Sequence, residues 1–116
     1  MTKHKGGCHC GRIAFEIEGD ITEAVECNCS LCAKRGGLLH FVLASAFALT
    51  SPRRNLSTYK FNQHAIDHHF CARCGISPFS EGIHPQNGKM AAINLRCVDG
   101  IDPKSLTIKF HDGLSD

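Results

Sequence analysis

The chain has 116 residues, a length that fits one domain with a modest hydrophobic core. Lysine and arginine number 13 and acidic residues 11, so the formal net charge of +2 does not indicate a nucleic-acid-binding surface. Eight cysteines exceed ordinary usage several-fold, whereas tryptophan is absent and only 7% of the residues are aromatic. A small domain with so few large side chains needs cross-links in addition to its core.

Several short segments have the apolar alternation typical of strands, and we expect strands at 12–17, 39–43, 56–61, 65–70, 90–95 and 106–110. One short helix is expected at 30–37, capped by Ser30 and ended by Gly36. Turn residues separate these segments, as at 82–88, which contains Pro85 and Asn87-Gly88. The sequence therefore predicts a small, mostly β fold that forms a single domain over 1–116.

Whether the cysteines form disulfide or metal cross-links depends on the cellular compartment in which the protein resides. Residues 1–7 are not followed by the apolar segment of a secretory signal, and the longest apolar run, 38–49, falls short of the ~20 residues that cross a bilayer. We expect a cytoplasmic protein without a membrane partner, and there cysteines normally stay reduced. Metal is then the expected cross-link, with disulfides or reduced core cysteines as the alternatives.

Two cysteine pairs have the spacing of zinc ligands. The segments 8–11 (CHCG) and 71–75 (CARCG) both end in glycine, which allows the positive-φ turn that directs backbone N–H groups at a ligand sulfur. Two ligands separated by one to four residues can reach one ion. We therefore predict that Cys8, Cys10, Cys71 and Cys74 form a closed, structural zinc site that couples metal binding to folding.

Three further cysteines, Cys27, Cys29 and Cys32, lie in the segment 27–32 (CNCSLC). Three ligands leave one of the four positions around zinc open, which is typical of a catalytic site. Three thiolates give Zn²⁺ a local charge of −1, so a bound water would be less acidic than at an all-histidine site. A substrate thiol is a better fourth ligand. The prediction is two Zn²⁺ per chain, one structural and one catalytic.

The eighth cysteine, Cys97, follows the strand predicted at 90–95. A buried apolar thiol is its default interpretation, and a fourth ligand or redox partner of the triplet is the alternative. His68 and His69 are adjacent, so in a strand they face opposite sides, one at the surface and the other near the Cys71 turn.

Other polar residues have two interpretations each. We expect His40, His64 and His84 at the surface, with a ligand or acid–base role as the alternative. The pair Lys34-Arg35 is either solvated or attracts an anionic substrate to the triplet.

Four ordered motifs resemble the glutathione-dependent formaldehyde-activating enzyme family, also called the GFA or centromere-protein-V type. They are 6–11 (GGCHCG), 27–32 (CNCSLC), 69–75 (HFCARCG) and 93–100 (INLRCVDG), within a resemblance that runs over about 6–112. The resemblance implies several coiled β-sheets, a structural zinc on the outer pairs and a catalytic zinc on the triplet. It also implies condensation of glutathione with formaldehyde to S-(hydroxymethyl)glutathione, a carbon–sulfur lyase reaction in reverse.

Three functional hypotheses follow. The first is a zinc enzyme that acts on a small-molecule thiol, such as glutathione, and a small aldehyde. The second is a non-catalytic interaction module with two structural zinc sites, in which Cys97 should complete the triplet. The third, nucleic-acid binding, ranks last because the sequence lacks a basic stripe with interleaved aromatic residues.

Overall fold

The computed structural model describes residues 2–61 and 65–115, and within them the chain forms two β-sheets and one short α-helix. The strands are β1 (Lys3–Gly7), β2 (Ala14–Glu18), β3 (Glu23–Cys27), β4 (Leu39–Leu43), β5 (Phe47–Leu49), β6 (Ser57–Tyr59), β7 (Asp67–Phe70), β8 (Phe79–His84), β9 (Gly88–Asn94) and β10 (Thr107–His111). The helix α1 (Ser30–Arg35) lies between β3 and β4. The mostly β fold predicted from the sequence is confirmed.

The two sheets differ in size. The smaller sheet has the order β1-β2-β5, and the larger has the order β10-β3-β4-β9-β8-β7-β6. Neighbouring strands are antiparallel except for β10, which pairs in parallel with β3 at one edge of the larger sheet. A single antiparallel bridge from Gly6 to Val98 connects β1 to the chain that follows β9.

The core lies where the two sheets meet. Phe15 of the small sheet and Phe79 of the large sheet are almost fully buried, with ring centroids 6.1 Å apart. Phe47 of β5 packs against both rings, at 5.7 Å from Phe15 and 4.6 Å from Phe79. Ile17 and Ile93 complete this contact at 1% and 0% exposure. Because aromatic burial is concentrated here, the two sheets stabilise each other.

Four strands were not predicted from the sequence, namely β1, β3, β5 and β8. Strand β1 has the sequence KHKGG, which contains no apolar residue, and it forms because each of its residues pairs with β2. The turn predicted at 82–88 is shorter in the structure, where β8 continues through His84 and the turn occupies 85–87. Gly82 stays in the strand, where it pairs with Met90, and Ile66 lies 3.4 Å from where a Cβ atom of residue 82 would stand.

The helix begins one residue differently from the prediction. Its N-cap is Cys29, whose sulfur accepts a hydrogen bond from the Cys32 amide, whereas Ser30 is the first helical residue. Gly36 ends the helix in the left-handed conformation, at φ +69°, as predicted. Within the described residues, no helix is long and apolar enough to cross a membrane.

We predict that Gly6→Ala destabilises the protein. A Cβ atom at this position would lie 2.5 Å from the Cys97 carbonyl oxygen and 2.6 Å from the Phe15 ring, so β1 could not keep its place. The expected loss is about 1–3 kcal/mol of unfolding free energy, measured by chemical denaturation. Lys5→Ala, at an exposed position of the same strand, is the control, and equal stability of the two variants would contradict the prediction.

Candidate functional site

Four cysteines converge from two distant turns. Cys8 and Cys10 lie between β1 and β2, Cys71 and Cys74 follow β7, and their sulfur atoms all lie within 4.8 Å of one another. The Cys8 and Cys10 sulfurs are 3.7 Å apart, and those of Cys10 and Cys71 are 3.5 Å apart. A tetrahedral zinc with Zn–S bonds near 2.3 Å needs sulfur separations of about 3.8 Å. The four-cysteine cluster is therefore compatible with zinc.

The two turns have the backbone geometry that the glycines predicted. Gly11 and Gly75 have φ values of +86° and +82°, respectively. Backbone amides point at the sulfurs, with Ile13 N donating to Cys8 Sγ at 3.3 Å and Cys74 N donating to Cys71 Sγ at 3.5 Å. These donors stabilise negative charge on the sulfurs and orient them toward a common centre.

The remaining three clustered cysteines form a local site. Cys27 ends β3, Cys29 caps α1, Cys32 lies in its first turn, and their sulfurs are also mutually within 4.8 Å. Cys29 N donates to Cys27 Sγ and Cys32 N donates to Cys29 Sγ, both at 3.4 Å. The three-cysteine cluster can therefore hold a metal ion, and Cys97 is a member of neither cluster.

The C-terminal turn packs directly on the three-cysteine cluster. Asn28 holds it, because its side-chain amide donates to Asp112 Oδ1 at 3.0 Å and its side-chain oxygen accepts from Leu114 N at 3.1 Å. A Cβ atom at Gly113 would lie 2.7 Å from Cys27 Sγ and 2.9 Å from the Cys29 Cβ. Sequence reasoning missed this contact, since nothing local links residues 28 and 113.

The three-cysteine cluster opens into a large groove of about 1170 Å³, here called the central groove. One wall is α1, and the other includes Phe61, Ala65 and Ile66. Strands β4, β9, β8 and β7 form its floor. Because Cys27, Cys29 and Cys32 all line the groove, a molecule bound there can reach their sulfurs.

The clustered thiols differ in acidity. The Ile76 amide lowers the pKa of Cys74 to about 6. Burial, together with the hydrogen bond that its thiol donates to Cys29, raises the pKa of Cys32 to about 12. Although burial opposes it, hydrogen bonds from the Cys32 amide and thiol lower the pKa of Cys29. The Cys32 thiol therefore keeps its proton at neutral pH, so binding a cation at the three-cysteine cluster must release that proton.

Like Arg96, Arg35 lines the groove, and it is the arginine on the same helix as Cys32. It lies three residues after Cys32, on the same face of α1, and its Nη1 donates to the Ser77 hydroxyl at 2.7 Å. Among the described residues, the ion pairs of the structure do not include Arg35. Lys34 is exposed and does not line the groove. The predicted basic pair therefore divides into a solvated lysine and a groove arginine.

The adjacent histidines face opposite sides, as predicted. His69 is 4% exposed, and its ring is hydrogen bonded to Thr58 Oγ1 at 2.9 Å and Glu81 Oε1 at 2.7 Å. His68 lines the groove, with Nδ1 hydrogen bonded to the Ser80 hydroxyl at 3.0 Å. Burial, together with charge on Arg35, lowers the pKa of His68, so this ring is neutral at pH 7.

The other residues that the sequence singled out and the structure describes belong to neither cluster. His84 is exposed and accepts backbone hydrogen bonds from Gln86 and Asn87 within the β8–β9 turn. His40 is half-buried and belongs to neither thiol cluster, and His64 lies outside the described residues. Cys97 is half-buried, and burial, with charge on Cys8 and Cys74, raises its pKa to about 11. Its nearest thiol neighbours thus belong to the four-cysteine cluster.

A β fold with one four-thiol cluster between distant turns and one three-thiol cluster facing a groove defines a small cysteine-rich domain that can hold two metal ions. The family model described as "Glutathione-dependent formaldehyde-activating enzyme" matches residues 3–111, and the chain belongs to this family, GFA. A crystal structure of a Rhodobacter sphaeroides protein is similar, with a TM-score of 0.77 and 27% sequence identity. The match covers 90% of this chain and 99% of that one.

We predict opposite consequences for losing a ligand from each cluster. Cys74→Ser removes the link between turns that are about 60 residues apart, so the protein should be largely unfolded. Cys29→Ser should keep most of the fold, because the three-cysteine cluster is local, and should lose one metal ion. Elemental analysis and thermal melting of protein purified without chelator measure both effects. An unchanged melting temperature for Cys74→Ser would contradict this interpretation.

We also predict that Gly113→Ala weakens metal binding at the three-cysteine cluster by about tenfold, since residues that support metal ligands typically have effects of this size. The added methyl group would displace either the C-terminal turn or Cys27. Competition with a chromophoric chelator measures the affinity, and Leu114→Ala, at a 68% exposed neighbour, is the control. The same affinity in both variants would show that the turn does not support the cluster.

Proposed function

We propose that this protein is a zinc-dependent carbon–sulfur lyase of the formaldehyde-activating type, which forms or breaks an S-hydroxymethyl thiol adduct such as S-(hydroxymethyl)glutathione. It would act as one domain over 1–116, in the cytoplasm, with one structural and one catalytic Zn²⁺. The observation that carries the proposal is the opening of Cys27, Cys29 and Cys32 into the central groove, with three cysteine ligands where zinc takes four.

The chemistry needs an ionised sulfur beside a carbonyl carbon. Cys27, Cys29 and Cys32 would hold a zinc ion, which would supply an open position for a substrate thiol and would keep that thiol ionised near neutral pH. The sulfur forms a bond to the aldehyde carbon, the carbonyl π pair moves to oxygen, and that oxygen takes up the proton that the thiol lost. The reverse sequence breaks the carbon–sulfur bond. Neither direction involves oxidation or reduction.

Arg35 has the position to bind the substrate thiol by a carboxylate. Its guanidinium shares the groove and a helix face with Cys32, and the Ser77 hydroxyl holds it in place. Glutathione carries two carboxylates, and guanidinium–carboxylate pairs are strong and directional. The groove would thereby orient the sulfur toward the cluster while its apolar walls exclude water.

The alternative is an interaction module with two structural metal sites. That hypothesis requires Cys97 to complete the three-cysteine cluster, but Cys97 has the thiols of Cys8 and Cys74 as its neighbours. The position of Cys97 therefore favours the enzyme.

The proposed activity predicts faster exchange between formaldehyde and glutathione in the presence of the protein. Because the two compounds also combine without an enzyme, magnetisation-transfer NMR of the hydroxymethyl group should be compared with the buffer rate. Cys29→Ser should fall to the buffer rate, since the substrate sulfur would lose its binding position. Ile83→Ala, at an exposed residue that does not line the groove, should retain the wild-type rate.

Two results would contradict different parts of the proposal. If the wild-type protein gives only the buffer rate, formaldehyde and glutathione are not the substrate pair. If Cys29→Ser accelerates exchange as well as the wild type does, the three-cysteine cluster is not the catalytic centre.

A further inference from the structure

The floor of the central groove next to the three-cysteine cluster is apolar. In the β3–β4 pair, Val25 lies opposite Leu39, so Cys27 is level with residue 37 and the groove face of β4 continues through Leu39 to Phe41. At about 3.3 Å per residue, Phe41 lies about 13 Å along the strand from the level of Cys27. Leu39 and Phe41 thus form an apolar path that begins beside the cluster and leads away from it.

The neighbouring strands extend this path sideways. Phe41 lies opposite Ala92, and Ala92 lies opposite Ser80 on the next strand, so all three project from the same face. Across the groove, Ile66 packs over Gly82, 3.4 Å from where a Cβ atom would stand. The region between α1 and Ile66 is therefore apolar near β4 and becomes polar at Ser80.

Two of these apolar side chains are exposed to solvent. Phe41 is 50% exposed and Ile66 is 47% exposed, although both line a concave surface. Concave apolar surface with a few convergent polar groups is the usual character of a small-molecule site. Binding an apolar group here would remove both side chains from water.

The size of the groove exceeds what formaldehyde requires. Its volume of about 1170 Å³ is above the ~300–1,000 Å³ of ordinary ligand pockets, whereas formaldehyde adds a single carbon to a thiol. The adduct of a larger aldehyde would carry its carbon chain along Leu39 and Phe41, while Arg35 held the carboxylate of the thiol. Arg35 would then bind the carboxylate end of the ligand, and Leu39 and Phe41 would contact its apolar end.

We propose that the central groove selects adducts of a carboxylate-bearing thiol with an apolar aldehyde, and that Leu39 and Phe41 form the subsite for the aldehyde's carbon chain. This inference rests on the proposed function and names its substrate class. The thiol sulfur bonds to the aldehyde carbon, the carbonyl π pair moves to oxygen, and the oxygen takes the thiol proton. Only the group attached to that carbon differs from the formaldehyde reaction.

Stable thioethers of glutathione test this subsite without turnover. S-methyl-, S-butyl- and S-octylglutathione should be titrated calorimetrically into the full-length protein, purified without chelator. The octyl compound should bind at least about tenfold more tightly than the methyl compound, because its extra methylenes leave water. Phe41→Ala should reduce this preference. Ile83→Ala, at a 74% exposed apolar residue outside the groove, should leave it unchanged.

Binding of the glutathione carboxylate by Arg35 is tested with separate variants. Arg35→Gln should weaken all three compounds by a similar factor, whereas Lys34→Gln should have little effect. Equal affinity for the three in the wild type would overturn the apolar subsite while leaving the proposed function intact. The subsite is also overturned if Phe41→Ala keeps the full preference, and the requirement for a carboxylate-bearing thiol is overturned if octanol binds as tightly as S-octylglutathione. If none of the three compounds binds, the subsite is overturned, whereas the exchange of formaldehyde with glutathione tests the proposed function separately.

Discussion

The convergence of four thiols from two distant turns is the constraint on which the rest of this structure depends. Cys8 and Cys10 belong to the small sheet's first turn, whereas Cys71 and Cys74 follow a strand near the edge of the large sheet. A metal ion at this point would fix the two sheets relative to each other in a domain whose aromatic core is one small group of phenylalanines. The sheets then determine where the groove lies.

The two clusters use the same ligand chemistry for different structural purposes. In the four-cysteine cluster, every sulfur comes from a turn, and four thiols would complete the tetrahedron of a zinc ion. In the three-cysteine cluster, Cys27 ends a strand, Cys29 caps a helix, and Cys32 lies within that helix. Because the same helix carries Arg35, one short element positions both a thiol and the groove's guanidinium.

The two faces of the large sheet carry different polar side chains, and the groove lies along one of these faces. The buried His69 and its partners Thr58 and Glu81 lie on one face of the large sheet, and His68 and Ser80 lie on the other. This separation follows from the alternation of side chains along β7 and β8. It leaves His68 and an apolar floor facing the groove, where Arg35 and Arg96 are, among the described residues, the arginines with which a carboxylate can pair.

The local spacing of cysteines and glycines in the sequence was sufficient to predict which thiols cluster and where the helix ends. The short intervals within 8–10, 27–32 and 71–74, with Gly11 and Gly75 behind two of them, predicted which thiols could share an ion, and the structure brings the same thiols together. Gly36 likewise marked the end of α1. Such features depend on a few consecutive bonds, so they can be inferred without the fold.

Contacts between distant residues were decided only by the tertiary structure. Strand β1 contains no apolar residue and exists because it pairs with β2, and the sulfur of Cys29 replaces Ser30 as the helix cap. Arg35 meets Ser77 across 42 residues, and Asn28 meets Asp112 across 84. No periodicity or spacing signals such pairs, because their energy comes from the packing of complete elements rather than from neighbouring residues.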